Sequence, residues 1–446
     1  LISPPTSVGF WIEQQREHSE PMTETMLLDP VQVLVASDQP LQVGSAALFE
    51  DDRLIALGEE ARQRAAERGV SGHNRAQQLL APCLVDPHSS LPSPFTGSGE
   101  TLKTLINSAG RAGYGQLALL PNGESERDSP ERLKGFQPSD CDLKIHLWGS
   151  FTHHGEGERL SLHADLLEAG AIGLSAGEQM PSANLIDRAL LLGEMDGAPV
   201  LIAPNDSNLR GDGMIREGVE TLRAGWPADP TISETLPMGQ LLELQRRHSN
   251  RKLVLMNLST AAGVEMLSHA TSSPLATVSW WHLVQDRSSQ PAEATHWFVT
   301  PSIGGQRDRC ALIQALGEGK INAVAVHGIP LDDEECLLPP DQRPKGLSGH
   351  HLVLPTLWQH LVVDLNWSVN QLWQALSFGP ARLLGQDEER LSIGSNRWLL
   401  FDPDQIWDQT RAASQAPRAA NQPWLGVRMR GQVVSCGLRI PTNQVD

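Results

Sequence analysis

From Gln78 onward one pattern repeats along the chain. A short apolar run changes abruptly to small or polar residues, and a stretch with apolar residues at helical spacing follows. The apolar runs are QLLAPCLVD, GQLALLP, DLKIHLWG, AIGLSAG, APVLIAP, KLVLMNLS, LATVSWW and NAVAVHG. Short runs with little polar alternation suit strands buried on both faces of a parallel sheet. Helical periodicity lies between them, for example in Ser161–Ala169, Asn184–Met195 and Asp308–Leu316. Repeated strand–helix units of this kind predict a closed (β/α)8 barrel.

Both ends of the chain read differently. LLDPVQVLVA, VGSAALFEDD and RLIALG alternate apolar and polar residues between Asp-Pro and Asp-Asp breaks, and Glu59–Arg68 favours helix. After Leu383 the strand-like runs RWLLFDP, WLGVRMRGQVV and SCGLRI return. The expected fold is therefore α/β, a (β/α)8 TIM barrel over residues 81–384. A small β-sandwich-like domain is expected from residues 26–80 together with 385–446. Residues 1–25 are expected to be a partly disordered extension, with Met22 or Met26 as alternative starts. Residues 331–349, rich in acid, Pro and Gly, are expected to form a long loop.

Composition narrows the function. A net charge of −18 over 446 residues disfavours nucleic acid and anionic membrane surfaces, which need clustered Lys and Arg. No apolar run reaches the length of a membrane span. The five cysteines are scattered without a CxxC, so neither a disulfide scaffold nor a cysteine-rich zinc site is expected, and the expected compartment is the cytoplasm.

In a barrel of this type the chemistry sits at the C-terminal ends of the strands. CLVDPH, IGLSAG, VLIAPND, LVLMNLST and AVAVHGIP end on one His, on Ala and Gly, on Asn, on Asn, and on one His. The segments APCLVDPHSSL, LLPN (119–122), LEAGAIGLS (167–175), RGDGMIREGVETL (210–222), LSTAAGVEML (258–267), FDPD (401–404) and WLGVRMRGQVV carry a resemblance. In their order, over roughly residues 26–440, the chain resembles the dihydroorotase family of the longer bacterial type, within the cyclic amidohydrolases.

That resemblance implies a zinc site built from a His-x-His after the first strand, a bridging acid after the fourth, and histidines after the fifth and sixth. An Asp after the eighth acts as acid and base. Such a set holds Zn2+ with an open position and acidifies its water. Carried onto this chain, the His-x-His becomes His88 and Ser90. The bridging acid falls on Ala176, the fifth-strand His on Pro204 or Asn205, the sixth-strand His on Asn257 and the acid/base Asp on His327. Of the substrate-binding positions, Asn122 is retained, while Pro92, Thr300 and Leu331 replace the others. The expectation is a degenerate site with no catalytic residues, no metal and no cofactor, where the family would use zinc.

Other constellations are weaker. His153, His154 and His163 cluster in sequence, but adjacent histidines ordinarily point apart. Ser175, Ser259 and Thr260 lack a nucleophile elbow, and Gly317–Lys320 lacks the P-loop spacing. Cys83 reads as core, and Trp280–Trp281–His282 as filling of a barrel mouth. Three functions compete. The first is an inactive structural or regulatory partner in pyrimidine biosynthesis, of aspartate transcarbamoylase by family analogy, in a homo-oligomer or mixed complex. The second is an active hydrolase of a cyclic amide such as dihydroorotate with a remodelled site. The third is a small-molecule-binding barrel.

Overall fold

In the computed structural model the described residues are 25–123, 126–289 and 297–441. The N-terminal extension therefore lies outside them, apart from residue 25. Two sheets organise the chain.

The first is a six-stranded mixed sheet built from both ends. Its strands are β1 (Met26–Val33), β2 (Gln42–Glu50), β3 (Arg53–Leu57) and β4 (Gly72–Ala81), joined by the last two strands of the chain. One face buries Leu28, Val31, Val33, Phe49, Leu54 and Trp398. The other is covered by the helix Gly58–Glu67, whose Ala61 and Ala65 pack on Leu27, Ala46 and Leu48.

The second sheet is the barrel. Its parallel strands are β5 (Leu84–Ser89), β6 (Tyr114–Leu119), β7 (Lys144–Ser150), β8 (Gly173–Ser175) and β9 (Val200–Ile202), then β12 (Leu253–Leu255), β13 (Leu275–Ser279) and β14 (Ala323–Ala325). Between β9 and β12 the short pair β10 (Ile215–Arg216) and β11 (Ala228–Asp229) forms a side ribbon. β15 (Leu399–Asp408) and β16 (Arg428–Cys436) return to the first sheet. The eight-stranded barrel of the α/β reading is thus present.

QLLAPCLVD, one apolar run in sequence, is divided between the two sheets. Pro82 offers no N–H to a ladder, and β4 ends before it while β5 begins after Cys83. The Pro82 and Cys83 carbonyls instead accept from Trp373 Nε1 and Ser377 Oγ, at 2.9 and 2.7 Å.

The barrel interior is packed solid. Val85, Ala118, Leu120, Trp148, Leu201, Ala203, Val254, Met256 and Ala323 form one buried cluster, continued by Ala381, Leu383 and Leu384 from the helix region after β14. Trp148 is fully buried there and donates to the Pro87 carbonyl at 3.0 Å. The acid-rich loop contains a helix, Asp333–Leu337. Asp332 caps it and Glu335 reaches back, so the run of acids is a helix start.

Candidate functional site at the barrel mouth

The barrel closes where the family resemblance places its metal. The His327 N–H donates to the His88 carbonyl at 3.1 Å, and the Ser90 N–H to the Gly328 carbonyl at 2.7 Å. Buried Asp86 supports this seam. Its Oδ1 accepts the Val326 N–H at 3.0 Å, and its Oδ2 receives His350 Nε2 at 3.1 Å. The Gly328 N–H donates to Ser89 Oγ at 2.8 Å.

Inside the seam the two histidines meet directly. His88 Nδ1 lies 3.1 Å from His327 Nδ1, and His88 Nε2 lies 2.8 Å from Thr277 Oγ1. Thr277 Oγ1 also accepts the Asn257 N–H at 2.9 Å. Which atom donates along Thr277, His88 and His327 is set by the ring tautomers. Burial, and then the neighbouring His327, hold the His88 pKa well below its ordinary value, so the ring is neutral. His327 Nε2 has no hydrogen-bond partner among the described residues and lies 3.7 Å from Glu178 Oε1.

Both His327 and Asn257 have left-handed backbones, with φ of 46° and 56°. Non-glycine residues in this region store about 1–3 kcal/mol of strain and concentrate at functional sites. Asn257 accepts from Ser279 Oγ at 2.8 Å, and its Nδ2 has no partner among the described residues. Asn205 donates to the Glu178 carbonyl at 2.8 Å. Ser90 receives Asn122 Nδ2 at 3.4 Å, and the Ala176 N–H is tied to the Leu201 carbonyl. His88, Asn257 and His327 therefore converge at one end of the barrel, with Asn205 and Glu178 beside them. Ser90 and Asn122 pair with each other, and Ala176 contributes no polar side-chain atom. The remaining cavity, lined by Glu178, Ala203, Asn205, Met256, Asn257 and His327, has about 10 Å³ of room for solvent. That holds about one water.

Trp280, Trp281 and His282 are buried beside this mouth. Trp280 packs on Trp281 and Trp424, and Trp281 on His327. Burial, then the charge of Arg216, pushes the His282 pKa down to about 3.

The motif RGDGMIREGVETL serves architecture. Arg216 is buried in β10 and donates to Ser233 Oγ at 2.9 Å and Ser259 Oγ at 2.8 Å, with Asp229 at 3.1 Å. Glu234 accepts the N–H groups of Ser259 and Thr260 at 2.9 and 3.1 Å, together with both hydroxyls. The LST turn, whose hydroxyls lack a nucleophile elbow, is held by a buried ion-pair network.

Sequence reading missed two residues. Glu178 stands two positions beyond Ala176, and Gly177 at φ 72° turns the chain so that its carboxylate reaches the mouth. Asp128, in the loop after β6, is buried and gathers His153 and His154 from the end of β7. His153 Nδ1 is 2.8 Å and His154 Nδ1 3.3 Å from its Oδ2. Burial opposes the Asp128 charge, but the His154 N–H, Arg132 and both imidazoles outweigh it and keep its pKa below the usual range. The expectation that the chain offers no metal and no cofactor site is overturned here. The ligand-type atoms of Asp128, His153 and His154 all lie within 4.8 Å of one another. The physical reason is the left-handed His154, φ 53°, which turns adjacent rings to the same side, 3.8 Å apart. His163, by contrast, is spent on the Phe151 carbonyl.

A closed parallel barrel with a β sheet built from both termini, polar groups converging at one barrel end, defines the architecture of the cyclic amidohydrolases. The chain is 34% identical over 392 residues to a probable dihydroorotase-like protein of Synechocystis sp., covering 80% of this chain and 87% of that protein. It belongs to the dihydroorotase-like family of amidohydrolases. A dihydroorotase of Thermus aquaticus is 27% identical over 398 residues, covering 86% of this chain and 91% of the relative. Among solved structures, the dihydropyrimidinase of Brevibacillus agri superposes with a TM-score of 0.73 at 16% identity, covering 92% of this chain and 93% of its own. The L-hydantoinase of Arthrobacter aurescens superposes with a TM-score of 0.74 at 16% identity, covering 93% and 94%. No family model matches the chain.

Proposed function

We propose that this dihydroorotase-like barrel does not open a cyclic amide at its mouth and acts as a cytoplasmic structural or regulatory partner in pyrimidine biosynthesis. The observation that carries the reading is the direct His88–His327 contact. Two imidazole nitrogens fall short of the three protein ligands that a catalytic zinc site uses. Ser90 and Ala176 stand where further ligands would be needed, and His327 stands where a carboxylate would move protons. Loss of such a general base alone costs roughly 10²- to 10⁴-fold in rate.

A barrel that keeps its packed core without this chemistry still presents a surface. Its negative charge suits a partner with a basic face. Family analogy points to aspartate transcarbamoylase. The test mixes the chain with that enzyme from the same host, followed by size-exclusion chromatography and measurement of carbamoyl aspartate formation. Co-elution with altered activity supports the reading. Separate elution with unchanged activity removes the partner half of it.

A second reading, hydrolysis at a remodelled site, is favoured by one observation: Glu178 faces the unpartnered His327 Nε2 across the cavity. A carboxylate beside an imidazole can work as an acid/base pair. Turnover of dihydroorotate lost in Glu178→Gln would establish it.

A further inference from the structure

We propose that Asp128, His153 and His154 form a binding site for one divalent transition-metal ion of the zinc and cobalt class, which pins the loop after β6 to the loop after β7. The site lies apart from His88 and His327, and its test does not depend on what the barrel mouth does.

The geometry is the first argument. In a tetrahedral zinc site, bonds of about 2.0–2.1 Å place neighbouring ligand atoms about 3.3 Å apart. The two Nδ1–Oδ2 separations are 2.8 and 3.3 Å. Three ligands of this type leave the fourth position to water. Two imidazoles and one carboxylate select zinc, cobalt or nickel over magnesium or calcium, which take all-oxygen sets.

Preorganisation is the second. Asp128 is buried while the rings of His153 and His154 are half exposed, so the carboxylate forms a floor with an open approach. Its other oxygen, Oδ1, is held by Arg132 at 2.8 Å, which fixes the carboxylate with Oδ2 facing both rings. The loop is fastened to the barrel strand. The Ser150 N–H donates to the Arg127 carbonyl at 2.8 Å, and Ser150 Oγ to Glu126 Oε1 at 2.6 Å. The His154 N–H donates to Asp128 Oδ2 at 3.0 Å. That bond helps hold His154 in the left-handed conformation that makes adjacent rings converge.

The experiment uses the full chain without a histidine tag, stripped by chelator and titrated with Co2+. Calorimetry and the visible absorption of bound cobalt give the readout. The expected result is one equivalent with tetrahedral-type bands, displaced by Zn2+ but not by Mg2+ or Ca2+. His153→Ala with His154→Ala should abolish uptake, and Asp128→Asn should weaken it at least tenfold. Exposed His269→Ala should leave it unchanged. Hydrogen exchange should slow on loading in residues 126–134 and 151–160. If Asp128→Asn fails to fold, the double histidine variant carries the test, since both rings lie at the surface. No uptake by the unaltered chain overturns the proposal. So does uptake undiminished in the double variant, which would place the ion elsewhere.

Discussion

Single residues in this protein are placed by burial as much as by chemistry. Arg216 is the clearest case, since it joins Asp229, Ser233 and Ser259 where water does not reach. Removing one partner of such a network leaves a buried charge unbalanced and costs about 3–5 kcal/mol. Arg216→Met should lower the unfolding free energy by that amount in urea titrations, and a loss under about 1 kcal/mol would contradict the network. His282 and His351 make a second prediction. Burial is the first cause at each, and it lowers their pKa values to about 3 and about 4. The unfolded chain titrates near 6.5, so below that pH it binds protons that the folded chain refuses. Stability is therefore fully present above about pH 6.5 and falls as pH drops toward the folded values, by roughly 1.4 kcal/mol per unit for each ring. Urea midpoints that do not change between pH 7 and pH 5 would contradict neutral burial.

At the scale of elements, the barrel strands tolerate little change in size. A Cβ on Gly173 would come within 2.4 Å of the Pro199 carbonyl oxygen and 2.7 Å of Trp148. Gly173→Val should therefore destabilise by about 1–3 kcal/mol. Gly197→Ala, with open space around it, should not. Thermal melts of the two variants decide the matter. The strands were legible because a buried parallel strand is a short apolar run bounded by small or polar residues, as in AIGLSAG and NAVAVHG. The division of QLLAPCLVD was less so, because Pro82 marks a break without saying that two sheets meet there. His88, Asn257 and His327 were legible as mouth residues, since strand order fixes where each run ends. Glu178 and Asp128 were not. Their reach depends on the backbone turns at Gly177 and His154, which sequence spacing does not encode. The helix Asp333–Leu337 carried its signal in plain view, an Asp at the cap with Glu three residues on.

Across the whole molecule, a shared architecture with dihydropyrimidinase and hydantoinase structures coexists with a mouth whose polar groups bond one another. No helix among the described residues is long and apolar enough to cross a membrane. With a net charge of −18, association with a basic partner should slow as salt rises, because screening shortens the reach of the field. Stopped-flow mixing at low and high salt measures this, and a salt-independent on-rate would argue for an apolar interface. The central claim concerns the barrel mouth, and dihydroorotate turnover tests it most directly. The full chain, loaded with Zn2+ or Co2+, is assayed in both ring-opening and ring-closing directions. The account predicts rates equal to those of a metal-only control. Turnover that His88→Ala or His327→Ala abolishes would contradict it.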